Sequence, residues 1–275
     1  MVFFLRFLFF IFIFLLLGIE IDRKKETTQK VNLAQFDKLP SLYKIENRSP
    51  FQTALEERLK FEIVFQNITA GHATLLTRSP ENPKNKGSVY FQIDAETADW
   101  VKRVYTLKMS MFAYADPVDY TTIKFIEEKY ENKNYYYLSQ YFSKEKKSLF
   151  FSYKKNSDWY IERSFSNALR GVSVPAAFYF ARTTDLEIGK SYFTVSSFRD
   201  QIFPIGVEIV GREEVKTSYG RKKTIVIRPL MPFSGLMSEQ RDMLIYLSDD
   251  ERRMPLLMVA KTGWGDFKAY LIEGF

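Results

Sequence analysis

Cysteine is absent from all 275 residues. That excludes disulfides, thiolate metal sites, a cysteine nucleophile and a cysteine-borne N-terminal lipid anchor. Histidine is nearly absent, with His72 the sole imidazole. A Ser-His-Asp triad would have to pass through it. Its place just after a tight turn, in an expected strand, makes it a surface or rim side chain. A zinc site would need several carboxylates to converge, and none has ligand spacing. No phosphate-cradling glycine loop and no dinucleotide fingerprint occurs. No cofactor and no metal is expected.

Long apolar runs are equally scarce, apart from one. Met1 to Ile19 is almost unbroken Phe, Leu and Ile, with Arg6 as its only charge. Phe7 to Ile19 has the length of a signal-peptide core. The cleavage site is poor, because Leu16 at −3 is not small. Read as an anchor instead, 19 residues reach roughly 28 Å at ~1.5 Å per residue, close to the hydrocarbon thickness. Arg23, Lys24 and Lys25 follow, and counting Lys and Arg alone would put that side in the cytoplasm. The readings are a cleaved signal peptide, an N-terminal membrane anchor with the domain outside, or an anchor with the domain inside. The first two, which lead, predict a periplasmic protein, exported or tethered to the inner membrane. Residues 20–56 read as a polar tether with Pro40 and Pro50, and 57–275 as one β-rich domain.

Within that domain, apolar residues alternate with polar ones. Leu59, Phe61, Ile63 and Phe65 open the pattern, and Val89, Phe91, Ile93 and Ala95 repeat it. Turn signals at Asn67–Gly71, Asn132–Asn134, Ser143–Lys147, Asn156–Asp158 and Gly220 separate short strands. The expectation is mainly β: a large antiparallel meander forming a curved sheet or half-barrel. Two short helices interrupt it. One spans Ala98–Val104 with Thr97 as its N-cap. The other, Val174–Thr183, starts with Pro175 and is apolar all round, so it is expected to be buried as a plug or cap.

A few charged residues stand out. In Ser248-Asp249-Asp250-Glu251, the short acidic side chains suit a self-capped hairpin tip. The other reading is an acidic pair that binds a cation or protonates a substrate, but neighbours in a strand point to opposite faces. Arg252 and Arg253 offer charge partners, and Pro255 needs a strand start. Gly211 suggests a bulge, and Arg212 suits a cross-strand ion pair. Arg182 can neutralise the dipole at its helix end, or pair with Glu213 in the interior. Arg182, Arg212, Glu213, Asp249, Asp250 and Arg253 are thus the candidate ligand or structural residues, and none is expected to be catalytic.

These features come in a recognisable order. Phe61-Glu62-Ile63-Val64-Phe65 precedes Ala70-Gly71. Then follow Arg182 closing the apolar helix, Gly189, Gly211-Arg212-Glu213, Gly220, and Leu247 through Pro255. The series resembles the domain-of-unknown-function 3108 family of exported bacterial proteins, over roughly Leu59 to Glu273. Ile245-Tyr246-Leu247 departs from it where tryptophan is frequent. The resemblance implies a fold and a compartment but no reaction.

Aromatic residues make up 17% of the chain, seven of the Phe lying in the leader, and the formal net charge is +7. Lys144, Lys146, Lys147, Lys154 and Lys155 lie near aromatic residues and could form a nucleic-acid or anionic-lipid patch, but they cluster in turns, which reads as a solvated rim. Trp100, Trp159 and Trp264 read as core or rim packing. The leading expectation is a non-enzymatic binding module for a lipid or other envelope-derived ligand. The alternatives are a structural or assembly factor of the envelope, and a hydrolase of envelope glycan or lipid acting through Asp249 and Asp250. Oligomeric state is left open.

Overall fold

The computed structural model describes residues 29–30, 56–79, 87–157, 159–166, 168–198, 201–230, 243–262 and 265–274. The leader, the tether apart from Gln29, Lys30 and Glu56, and Trp264 lie outside these residues, as does the side chain of Trp159.

The alternation does form strands. A first meander runs β2 (Glu57–Phe65), β3 (Ile68–Arg78), β4 (Val89–Thr97), β5 (Leu107–Ala115), β6 (Thr122–Glu131), β7 (Asn134–Ser143), β8 (Ser148–Lys155) and β9 (Trp159–Ser166). A second runs β10 (Ser191–Phe198), β11 (Gln201–Thr217), β12 (Gly220–Leu230), β13 (Met243–Ser248), β14 (Pro255–Thr262) and β15 (Gly265–Glu273). Neighbours within each meander pair antiparallel, and β2 pairs antiparallel with β15. The two meanders therefore make one curved sheet, joined in its middle. A two-residue strand β1 (Gln29–Lys30) adds in parallel to the end of β9.

In β5, Leu107, Met109, Met111, Ala113 and Ala115 are buried while Lys108 is exposed, the one-sided burial that period-2 alternation dictates. Tight turns between strands use left-handed residues such as Gln66, Asn67, Asn132 and Asn156. Gly211 marks a register shift in β11, as its position suggested. Pro255 starts β14, where its missing N–H is tolerated.

At the two ends of the sheet, β9, with the short β1 beside it, and β10 do not pair with each other. The chain crosses between them through a strap, residues 168–173, and then a helix. The Ala168 N–H donates to the Lys147 carbonyl, the Thr122 N–H to the Gly171 carbonyl, and the Val172 N–H to the Val195 carbonyl. Val172 forms a parallel bridge with Ser196. A Cβ on Gly171 would lie 2.8 Å from Ser197 N, so only glycine permits this approach. Arg170 ties the strap to Asp116 at 2.9 Å and Asp119 at 3.3 Å. Burial alone would raise the Asp116 pKa, but the Val118 N–H and Arg170 hold it below the usual carboxylate range.

Helix α1 (Asp99–Lys102) is shorter than expected, and Thr97 does not cap it. Thr97 instead ends β4, and its hydroxyl exchanges hydrogen bonds with the Leu107 backbone. Helix α2 (Val174–Thr183) packs against β4, β5 and β10 and so spans the two meanders. One core runs through the whole curve, with Phe61, Phe91, Tyr105, Met109, Met111, Phe125, Tyr179 and Phe267 among its fully buried side chains. Removing each of these from water contributes about 1.5–3 kcal/mol.

Candidate functional site

The sequence candidates separate into an inner group and an outer group. Arg182 leaves the last turn of α2 fully buried and forks onto Glu57 at the start of β2, at 2.7 and 2.9 Å. Its second terminal nitrogen also donates to the Arg252 carbonyl at 2.9 Å. Arg182 therefore does not pair with Glu213, whose side chain is exposed on β11. Arg182 is the basic residue of the helix's last turn, but the end carbonyls are bonded by a second cation: Arg253 donates to the Arg182 and Thr184 carbonyls, both at 2.6 Å. Those are carbonyls that a terminating helix leaves open, and a cation there also opposes the dipole. Arg253 takes a left-handed φ of 47° to reach them. Tyr179 sits under the Arg182 guanidinium at 5.1 Å and stacks on Phe91 at 4.6 Å. Burial pushes the Tyr179 hydroxyl far above the usual tyrosine range, and the Glu57 carboxylate adds to that.

The acidic pair parts company. Asp250 Oδ1 accepts from the Ser248 hydroxyl at 2.6 Å and from the Arg252 and Arg253 N–H groups at 3.0 and 3.1 Å, capping its own turn. Asp249 faces outward and pairs with Arg212 at 3.2 Å. The two carboxylates do not converge on one point. Among the described residues, no group of three or more His, Asp or Glu is placed to hold a metal ion. His72 is exposed on β3.

A charged inner wall escaped the sequence reading. On β6 to β9 the inward positions hold Glu127, Gln140 and Arg163, each at most 6% exposed. The register sets Gln140 opposite Phe151 and Phe151 opposite Arg163, so all lie on one face. Toward the far end of these strands the wall carries an ion pair. Lys129 pairs with Glu131 at 3.1 Å, and the Tyr105 hydroxyl donates to Glu131 at 2.8 Å. Lys129 and Lys155 lie 4.4 and 5.5 Å from the ring centre of half-buried Tyr136, with Tyr153 at 6.3 Å. Burial, then Glu131, raises the Tyr136 pKa. The signal was present in β6: Glu127, Lys129 and Glu131 share the phase of buried Phe125, so charges had to point inward.

The model of the family described as Protein of unknown function (DUF3108) matches residues 60–272. No curated protein matches the chain. Two solved structures are similar at low identity. One is a β-barrel-like protein of a domain of unknown function, DUF1849, from Brucella abortus, at 10% identity and a TM-score of 0.49, covering 80% of this chain and 97% of that one. The other is a hypothetical protein from Chlamydia trachomatis, at 13% identity and a TM-score of 0.32, covering 86% and 94%.

Proposed function

We propose that this chain, which belongs to the DUF3108 family of proteins of unknown function, is an exported, non-enzymatic binding module for an amphipathic ligand of the cell envelope. One observation carries the reading. The buried inner layer of the sheet changes from apolar at β11–β15 to mixed apolar and charged at β6–β9, where Glu127, Gln140 and Arg163 sit among Phe125, Leu138 and Phe151. A buried wall of that composition suits a molecule with an apolar chain and a polar head. The apolar leader at 1–19 supports export, with the domain held near the inner membrane if the leader stays. The divergence of Asp249 and Asp250 weighs against the hydrolase reading.

The test is native mass spectrometry of the full chain purified under mild conditions, followed by delipidation and titration with a fluorescent fatty acid. The expected result is a retained envelope lipid and saturable rebinding. A delipidated chain that binds neither the fatty acid nor any component of a native lipid extract overturns the proposal.

The assembly-factor reading has its own support in the filled core under α2, where Phe91 stacks on Tyr179 and meets Tyr120 edge-on at 5.5 Å. Crosslinking in intact cells separates the two: a stoichiometric protein partner without bound lipid favours assembly.

A further inference from the structure

The outer face of β6–β9 is a different surface from the inner wall. A single cross-strand row there runs Lys124, Tyr141, Phe150 and Ser164. Tyr141 is 51% and Phe150 37% exposed, and their rings stack with centroids 6.5 Å apart. Three residues further along, the β7–β8 turn carries Lys144, Lys146 and Lys147, all exposed. At ~3.3 Å per strand residue, the row and the turn lie within roughly 10 Å of each other. Lys146 Nζ stands 5.9 Å from the Phe150 ring centre.

Charge sorts the possible occupants. Four lysines in this patch face Glu145 alone within the turn. The nearby acids are accounted for: Asp116 and Asp119 of the β5–β6 connection are engaged by Arg170, Asp116 also interacting with Lys144, and Glu162, on the same face two residues from Ser164, accepts from the Tyr160 hydroxyl. The patch is therefore cationic and aromatic together. The turn is also braced, since its Lys147 carbonyl accepts from the Ala168 N–H of the strap at 3.0 Å. A braced tip costs little ordering entropy on docking.

We infer that this tip, formed by Lys124, Tyr141, Lys144, Lys146, Lys147 and Phe150, docks on an anionic bilayer surface. Tyrosine and phenylalanine rings settle at the headgroup boundary, and lysines reach the lipid phosphates with their stems laid along apolar surface. The inference stands apart from the ligand reading, because it uses the opposite face of the sheet.

The absence of cysteine makes a clean test possible. A dye sensitive to polarity is attached to the full chain through Ser143→Cys beside the tip, or through His72→Cys on the same outer face at β3. Each labelled protein is mixed with phosphatidylcholine vesicles with and without phosphatidylglycerol. The expected result is a blue shift at position 143 with the anionic vesicles alone, none at position 72, and loss of the shift near 1 M salt, where the Debye length falls to about 3 Å. Lys144→Glu with Lys146→Glu weakens the response at least about tenfold, and Phe150→Ser weakens it with the charge intact. Equal responses in both vesicle types, equal responses at both positions, or a tip response that needs added envelope protein each overturn the inference.

Discussion

The meander β2–β9 and the meander β10–β15 share one antiparallel pattern but line the concave side with different chemistry. In the second, Val207, Ile209, Ile225, Ile227, Ile245, Leu247, Met258, Phe267 and Leu271 form the inner layer. Its middle strands are apolar outward too, where Val226, Tyr246, Leu257 and Val259 make a second cluster. In the first, the inner layer at β6–β9 includes Glu127, Gln140 and Arg163. Taking an ion out of water costs several kcal/mol even after relaxation. An aliphatic side chain in the same place would not incur that cost. The difference teaches that the two halves carry separate loads: apolar packing in one, a polar wall in the other, and α2 with its Arg182–Glu57 fork between them.

Cutting that join should have the largest effect. Arg182→Leu leaves the Glu57 carboxylate buried without its fork, and about 3–5 kcal/mol of stability should be lost in urea unfolding. Adding Glu57→Gln should return part of it, and a loss below about 1 kcal/mol for the single variant would show that the meanders hold without the fork. Gly171→Ala should follow, at about 1–3 kcal/mol, because its Cβ meets β10 backbone that cannot move aside. The comparison is sharpened by pairing one substitution from each half. Ile227→Val should cost about 0.5–1.5 kcal/mol of stability and leave fatty-acid binding unchanged. Gln140→Leu should weaken that binding about tenfold, the loss of roughly one well-placed hydrogen bond; the reverse ranking would sink the division of labour.

High pH gives a smaller effect that belongs to the first meander. Burial pushes the Tyr90 hydroxyl up to about 12, against Arg78, which lowers it. The folded state then holds this proton more tightly than the unfolded chain. The associated stability is fully present below about pH 10 and is lost as pH rises through about 12. Tyr90→Phe should flatten that decline in an unfolding series, and an unchanged decline would assign it to other groups. The smallest effect is expected at Arg212→Ala. Its pair with Asp249 is about half exposed, so stability should change by less than about 1 kcal/mol.

Much of the sheet was legible because period-2 alternation and turn residues are local signals. The hairpins, the bulge at Gly211, the strand start at Pro255 and the buried helix α2 could all be read from neighbouring residues. The family membership rested on short motifs in order, and the match over residues 60–272 agrees with it. What escaped depended on partners far along the chain. Arg182 finds Glu57, 125 positions away, and Arg253, 71 positions from Arg182, bonds the carbonyls at the end of its helix. The inward charges of β6 were legible in phase, yet the Gln140, Phe151 and Arg163 that share their face emerge only when β7 to β9 are laid beside them.

The sequence alone determined a cysteine-free chain with an apolar run at 1–19, a series of antiparallel strands and one apolar helix. Each of those follows from residues adjacent in the chain, whose side-chain period and turn chemistry act over a few positions. The tertiary structure decided that two meanders join through β2 and β15, that a strap and α2 bridge the outer edges, and which charges face inward or out. Those outcomes depend on contacts between distant segments, where geometry and burial select among partners that the local sequence leaves equivalent.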